Sequence, residues 1–146
     1  MTSRYEYAGF WIRVAASLID TLIMLLVCTP IVIVYYGTDR YFDVWNNGGF
    51  LGWFDVLISW ILPFVATIWF WRHKQGTPGK LIFSLKVLDE QSGQTLTLQQ
   101  AVIRYLGYIV CTFSLFIGFI WIGVDARKQG WHDKMAKTVV VRDNLA

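Results

Sequence analysis

VAASLIDTLIMLLVCTPIVIVYY, residues 14–36, decides the fold: it holds a single charge, Asp20. A helix rises about 1.5 Å per residue and a bilayer's hydrocarbon core is about 30 Å thick, so about 20 apolar residues cross it. A carboxylate at that depth costs about 2.5–3.5 kcal/mol on insertion scales. Arg13 precedes Asp20 by two helical turns, and Ser17 lies between them on the same stripe. Opposite charges on one face of a spanning helix ask for a function or a partner.

Two more stretches have the same character. Residues 50–71, FLGWFDVLISWILPFVATIWFW, carry one charge, Asp55, and residues 105–124, YLGYIVCTFSLFIGFIWIGV, carry none. Hydrophobic residues make up 55% of the 146 and charged ones 16%, against about 25% in soluble proteins, and mean hydropathy is +0.45. No water satisfies backbone groups inside a bilayer, so such runs are helices, and their continuity excludes a barrel. The first run is longer than the apolar region of a signal peptide and carries Asp20, so it reads as a retained span. The fold class expected is an all-α integral membrane protein. It is a single domain over 1–146: a small bundle of three apolar segments with a short cytoplasmic β-hairpin-like insert over 72–97 and a basic tail over 125–146.

Charge sets the orientation. Arg72, Lys74, Lys80 and Lys86 follow the second run, whereas the 37–49 loop has Asp39, Arg40 and Asp43. Lysine and arginine concentrate on the cytoplasmic side. The N-terminus, with Arg4 and Arg13 against Glu6, and the insert are therefore expected in the cytoplasm. The tail, with Arg127, Lys128, Lys134, Lys137 and Arg142, also reads as cytoplasmic, which three full crossings forbid. The third segment therefore either spans or dips in and returns, with Ser114 and Gly118 as its break points. The net charge of +3 suits an anionic membrane face, and no motif points to nucleic acid. The lipid bilayer is the expected partner.

Within the insert, Gly76-Thr77-Pro78-Gly79 reads as a turn and the alternation of Leu81, Phe83, Leu85 and Val87 as a strand. Thr138–Val141 is a second strand, able to pair with the first if both lie on one side. Thr97 is placed to cap the next helix. Aromatic anchors at the interfaces include Trp11, Tyr35, Tyr36, Trp69 and Trp71.

The charged residues admit two readings. Arg104 opens the third segment and Asp125 closes it. Asp20 with Arg104, or Arg13 with Asp125, can pair as structural ties, or the same groups can serve an ion or solute. Asp55, Ser59 and the Ser59 carbonyl, which Pro63 cannot bond, form either an oxygen-rich cation spot or an ordinary solvated interface. Gly76–Lys80 lacks the spacing of a phosphate loop. Cys28 and Cys111 read as small buried side chains, and His73 and His132 have no second ligand at metal spacing. No metal, cofactor or enzymatic nucleophile is expected.

Taken together, Phe10-Trp11-Ile12-Arg13 with Asp20, Gly76-Thr77-Pro78-Gly79-Lys80 running into Lys86-Val87-Leu88-Asp89, Leu98 to Arg104, Asp125, and His132 to Val140 resemble the RDD family. This bacterial membrane family is named for one arginine and two aspartates, and the resemblance covers about Phe10 to Arg142. It implies that Arg13 and Asp20 are the arginine and first aspartate, and that the second is Asp125, with Asp133 the alternative. Ser84 stands where such proteins often have glycine. The resemblance also implies a multi-pass protein of the bacterial inner membrane. Transport of unknown ligands has been proposed for the family, with cation/proton antiport for some members.

The leading expectation is transport of protons, cations or a small solute, with Asp20 titrating and Arg13 setting its charge state. The alternative is a non-transporting adaptor or assembly factor in which the charges are structural. Three helices enclose no pore, so a homo-oligomer or membrane partner is expected.

Overall fold

The computed structural model describes residues 5–143; Arg4 and the last three residues of the basic tail lie outside them. The elements run β1 (Tyr5–Tyr7), α1 (Phe10–Tyr36), α2 (Thr38–Asn47), α3 (Trp53–Val56), a π-helical turn (Leu57–Ile61), α4 (Leu62–His73), α5 (Pro78–Ile82), β2 (Leu85–Asp89), α6 (Leu98–Phe113), α7 (Ile117–Ile120), a 3₁₀ turn (Trp121–Gly123), α8 (Trp131–Ala136) and β3 (Thr138–Asp143). The chain divides into two compact units, one holding residues up to Asp20 and from Thr67 onward, the other Thr21–Ala66.

α1, and the helical stretch from Trp53, are long and apolar enough to cross a membrane. Their side chains mostly face outward. Only 11% of the apolar window of α1 is buried within the protein, and Leu18, Leu22, Leu26 and Val34 are exposed. Contiguous apolar surface on this scale needs a cover, and hydrocarbon supplies one.

In the first unit, the expected hairpin is a three-stranded antiparallel sheet of order β1-β3-β2, because residues 5–7 add a strand. Leu85 pairs with Arg142 through to Asp89 with Thr138. Strand periodicity splits the valines of β3. Val140 joins Leu85, Val87, Ala16, Trp71 and Ala101 in the main core, while Val139 and Val141 pack with Leu88 on the other face.

The strand expected from Leu81 begins only at Leu85. Pro78 presets the first helical turn of α5, so residues 78–82 are helical. Ser84 makes the change of direction at φ 60°, where its amide donates to Leu81 O and its carbonyl accepts from Asp143 N. A left-handed L-residue costs about 1–2 kcal/mol, partly offset in glycine by chain entropy. Ser84→Gly is therefore expected to stabilise by about 0.5–1 kcal/mol. A thermal midpoint in detergent raised by about 2–4 °C shows it, and an unchanged or lower midpoint refutes it.

Thr97 caps α6 through a capping box with Gln100. The third apolar segment then breaks. Leu115 and Phe116 take φ values of 57° and 65°, and the axes on either side meet at 112°. The break lies at residues 114–116, and Gly118 is inside α7 instead, where a Cβ would meet Trp131 at 3.1 Å.

In the second unit, Tyr35 stacks on Phe54 at 4.0 Å, Asp55 N donates to the Tyr36 hydroxyl, and Arg40 donates to Leu51 O. Pro63 cannot donate to Ser59 O, and the preceding turn widens to π geometry, with Leu62 N bonding Leu57 O. The Ser59 hydroxyl donates to Asp55 at 2.8 Å. Both residues line a cavity of about 380 Å³ with Thr29, Val32 and Tyr41. Cys28 is buried in this unit.

Candidate functional site

The buried charges of the first unit gather around Asp133. This residue is the third of α8 and its carboxylate accepts from Gly130 N at 2.9 Å, closing the helix's own N-terminus. Arg13 Nη2 donates to Asp133 Oδ2 at 2.8 Å, and Arg104 Nη1 donates to Oδ1. Arg104 and Asp133 have no solvent exposure and Arg13 has 5%. Arg13 does not reach out to water as a residue at a helix end commonly does. It turns inward, and Nη1 donates to Lys128 O at 3.0 Å.

His132 completes the cluster. Arg13 Nη2 lies 2.9 Å from its Nε2, and Cys111 Sγ lies 3.6 Å from its Nδ1. A guanidinium only donates, so Nε2 accepts and Nδ1 carries the proton. That tautomer points a proton at Cys111 and takes none from it, so the pair does not generate a thiolate. The ring sits 4.6 Å from Tyr108 and 5.3 Å from Phe119. Burial, then the charges of Arg104, Arg13 and Lys80, push the imidazole well below its usual pKa of 6.5.

The sign of the resulting pH dependence follows. Below pH 6.5 the unfolded chain takes up a proton at His132 and the folded chain does not, so stability falls as pH falls. The loss is at most about 1.4 kcal/mol per pH unit. Between pH 6.5 and 5 the thermal midpoint in detergent is expected to drop, and to drop less in His132→Asn. Equal slopes in the two proteins refute the assignment.

Both arginines take Asp133, so the expected pairs, Asp20 with Arg104 and Arg13 with Asp125, give way. Asp125 pairs instead with Lys134 at 2.7 Å, and this bond holds its carboxyl below the usual range. Its other oxygen accepts from Arg127 N and Gln129 N, so Asp125 shapes the turn that leads into α8.

Asp20 has neutral partners. Its Oδ2 accepts from the Thr77 hydroxyl at 2.5 Å and its Oδ1 from Gly79 N at 2.7 Å. It therefore caps α5 from outside, satisfying an amide that a helix start leaves bare. The approach requires glycine, because a Cβ on Gly79 would collide with Ala16 O. Ser17 is exposed on α1.

Trp71, Lys80, Tyr108, Thr138 and Gln129 were not singled out from the sequence as site residues. Arg104 Nη1 donates to Thr138 Oγ1 at 2.8 Å, and Gln129 Nε2 donates to Thr138 O at 2.7 Å. Arg104 also lies over the rings of Trp71 and Tyr108, at 5.2 and 5.7 Å. Among the described residues no group of three His, Cys, Asp or Glu side chains converges as a metal site.

Known proteins share this arrangement of sequence. An uncharacterized protein of Bacillus subtilis, YxaI, is 31% identical, covering 92% of this chain and 96% of its own length. An uncharacterized membrane protein of the same organism, YteJ, is 27% identical over 97% of this chain and 84% of its own. A proline-rich antigen homolog of Mycobacterium tuberculosis is 30% identical over 58% of this chain, which spans 38% of that protein. No solved structure matches. The RDD family profile matches residues 7–137, which include Arg13, Asp20, Arg104 and Asp133, and on that match the chain belongs to the RDD family of membrane proteins.

Proposed function

We propose that this protein is a membrane-embedded anchoring module, an adaptor whose charged residues hold its parts together and carry no flux. One observation supports this most: both oxygens of Asp20 and both oxygens of Asp133 are occupied by donors of the same chain. A carrier carboxylate has to exchange partners, whereas these fix α1 to α5 and α6 to α8. The basic insert and tail then offer a docking surface to a membrane partner or a second copy.

The proposed topology follows from the sheet. β1, β2 and β3 are hydrogen-bonded together, so these three segments share one side of the membrane. The third apolar segment must then return to the side it entered. Its legs, 98–113 and 117–123, are about 24 and 10 Å long at ~1.5 Å per residue, each short of a 30 Å core. A re-entrant segment fits, and the basic flanks favour the cytoplasmic side of a bacterial inner membrane for the sheet. Single cysteines introduced near each terminus should react with an impermeant maleimide from the same face. Reaction from opposite faces refutes this topology.

A transport reading keeps one supporting observation. Asp20 is half-buried in an apolar helix and its partners are uncharged, so a cation can compete for it. Proteoliposomes carrying sodium, potassium and pH gradients test the two. The anchoring reading expects flux no greater than in empty vesicles, and a lowered thermal midpoint in Asp20→Asn. Ion-driven flux that Asp20→Asn abolishes in a folded protein overturns it.

A further inference from the structure

Arg104 uses one side of its guanidinium. Nη1 is fully engaged by Asp133 and Thr138, Nη2 makes only a 3.5 Å contact with the Tyr108 hydroxyl, and the buried Nε has no hydrogen-bond partner. Nε–H and one Nη2–H lie along one edge of the guanidinium plane, a fork that two oxygens of one oxyanion can fill. The guanidinium lies over the Trp71 ring, whose buried indole Nε1 also has no partner. Lys80 is 4% exposed and makes no side-chain hydrogen bond or ion pair among the described residues; the charged and titratable groups around it are Tyr108, Arg104, Arg13 and Asp20.

These open groups are donors without acceptors. The charges agree: three buried cations, Arg13, Lys80 and Arg104, face two carboxylates, Asp20 and Asp133, and His132 is neutral. An unpaired buried cation and orphaned N–H groups are both costly, and one anion answers both. A metal cation would meet the repulsion of these cations.

We propose that the Arg104 fork, the Trp71 indole N–H and the Lys80 ammonium form a binding site for a phosphate-type oxyanion, from a lipid headgroup or as free phosphate. Trp71 is in the last turns of α4, Lys80 in α5 and Arg104 in the second turn of α6, so all three sit at the helix ends that lead to the sheet. In a membrane this is the depth of the headgroups. Lys80 keeps slight exposure while Trp71 and Arg104 have none, so the anion enters past Lys80. This inference does not depend on the anchoring reading, because it is read as binding and not as flux.

The test uses the full chain in a neutral detergent with ¹⁵N-labelled tryptophan. The Trp71 indole N–H resonance is the one lost in Trp71→Phe. The probes are inorganic phosphate against chloride at matched ionic strength, and dihexanoyl phosphatidic acid against dihexanoylglycerol. The site predicts a saturable shift of the Trp71 resonance, with affinity weakened at least tenfold in Lys80→Met, which keeps the apolar stem. A shift with inorganic phosphate assigns a free anion, and a shift with phosphatidic acid alone assigns a headgroup. No shift of the Trp71 resonance with either, in the wild-type protein, overturns the proposal. Undiminished affinity in a folded Lys80→Met also overturns it; if that variant does not fold, the wild-type titration decides.

Discussion

Asp133→Ala is expected to leave little folded protein. Removing one partner of a buried ion pair costs about 3–5 kcal/mol, because the other charge stays buried and uncompensated. Here one carboxylate serves two arginines, neither with more than 5% exposure, and also the amide of Gly130, which leads into α8. The whole protein has about 5–15 kcal/mol of stability, so this loss takes a large share of it. The readout is the yield of monodisperse protein in detergent and its thermal midpoint. Asp125→Asn is the control: the pair it breaks has Lys134 half-exposed, and such pairs contribute about 0–1 kcal/mol.

A second arm separates charge from packing. Buried ionic groups replaced together by apolar residues of similar volume are often tolerated. Arg13→Met, Arg104→Met and Asp133→Leu combined are therefore expected to recover much of what Asp133→Ala loses. If Asp133→Ala behaves like Asp125→Asn, the central role of Asp133 is wrong.

The apolar segments were legible in the sequence because a bilayer demands long continuous runs, and nothing else in a short chain produces them. The cap at Thr97, and β2 and β3 as strands able to pair, were legible because caps and strand-forming runs are local signals. The site was less so. Asp125 closes an apolar run and reads as a membrane charge, yet it lies on a surface turn beside Lys134. Asp133, between His132 and Lys134, was only the alternative to Asp125 as the second aspartate, yet it is the one that is fully buried. Its burial depends on α8 packing against α6, and no local pattern announces that. Beyond the family resemblance, the signal in the sequence was glycine: Gly107, Gly118 and Gly130 are all places where a Cβ would strike a neighbouring segment. β1 was missed because three residues are too few for a periodicity, and its pairing with β3 spans most of the chain.

Gly107→Ala tests that signal directly. In an exposed helix interior this change stabilises by about 1 kcal/mol, since alanine loses less chain entropy than glycine. Position 107 should reverse the sign. A Cβ there would lie 2.7 Å from His132 Cα and 2.8 Å from His132 Cβ, and neither atom is the free end of a flexible side chain. Either α8 moves away or α6 bends, and both responses draw Asp133 from Arg104, whose mutual bond is fully buried. Overpacking costs about 1–3 kcal/mol by itself, and stretching the ion pair adds to it. Gly123→Ala is the matched control, because its Cβ would meet only Phe10 Cβ at 4.0 Å. The expected order of thermal midpoints in detergent is wild type and Gly123→Ala together, with Gly107→Ala well below. A Gly107→Ala midpoint at or above wild type would mean that α8 is not seated against α6, and the buried centre around Asp133 would fall with it.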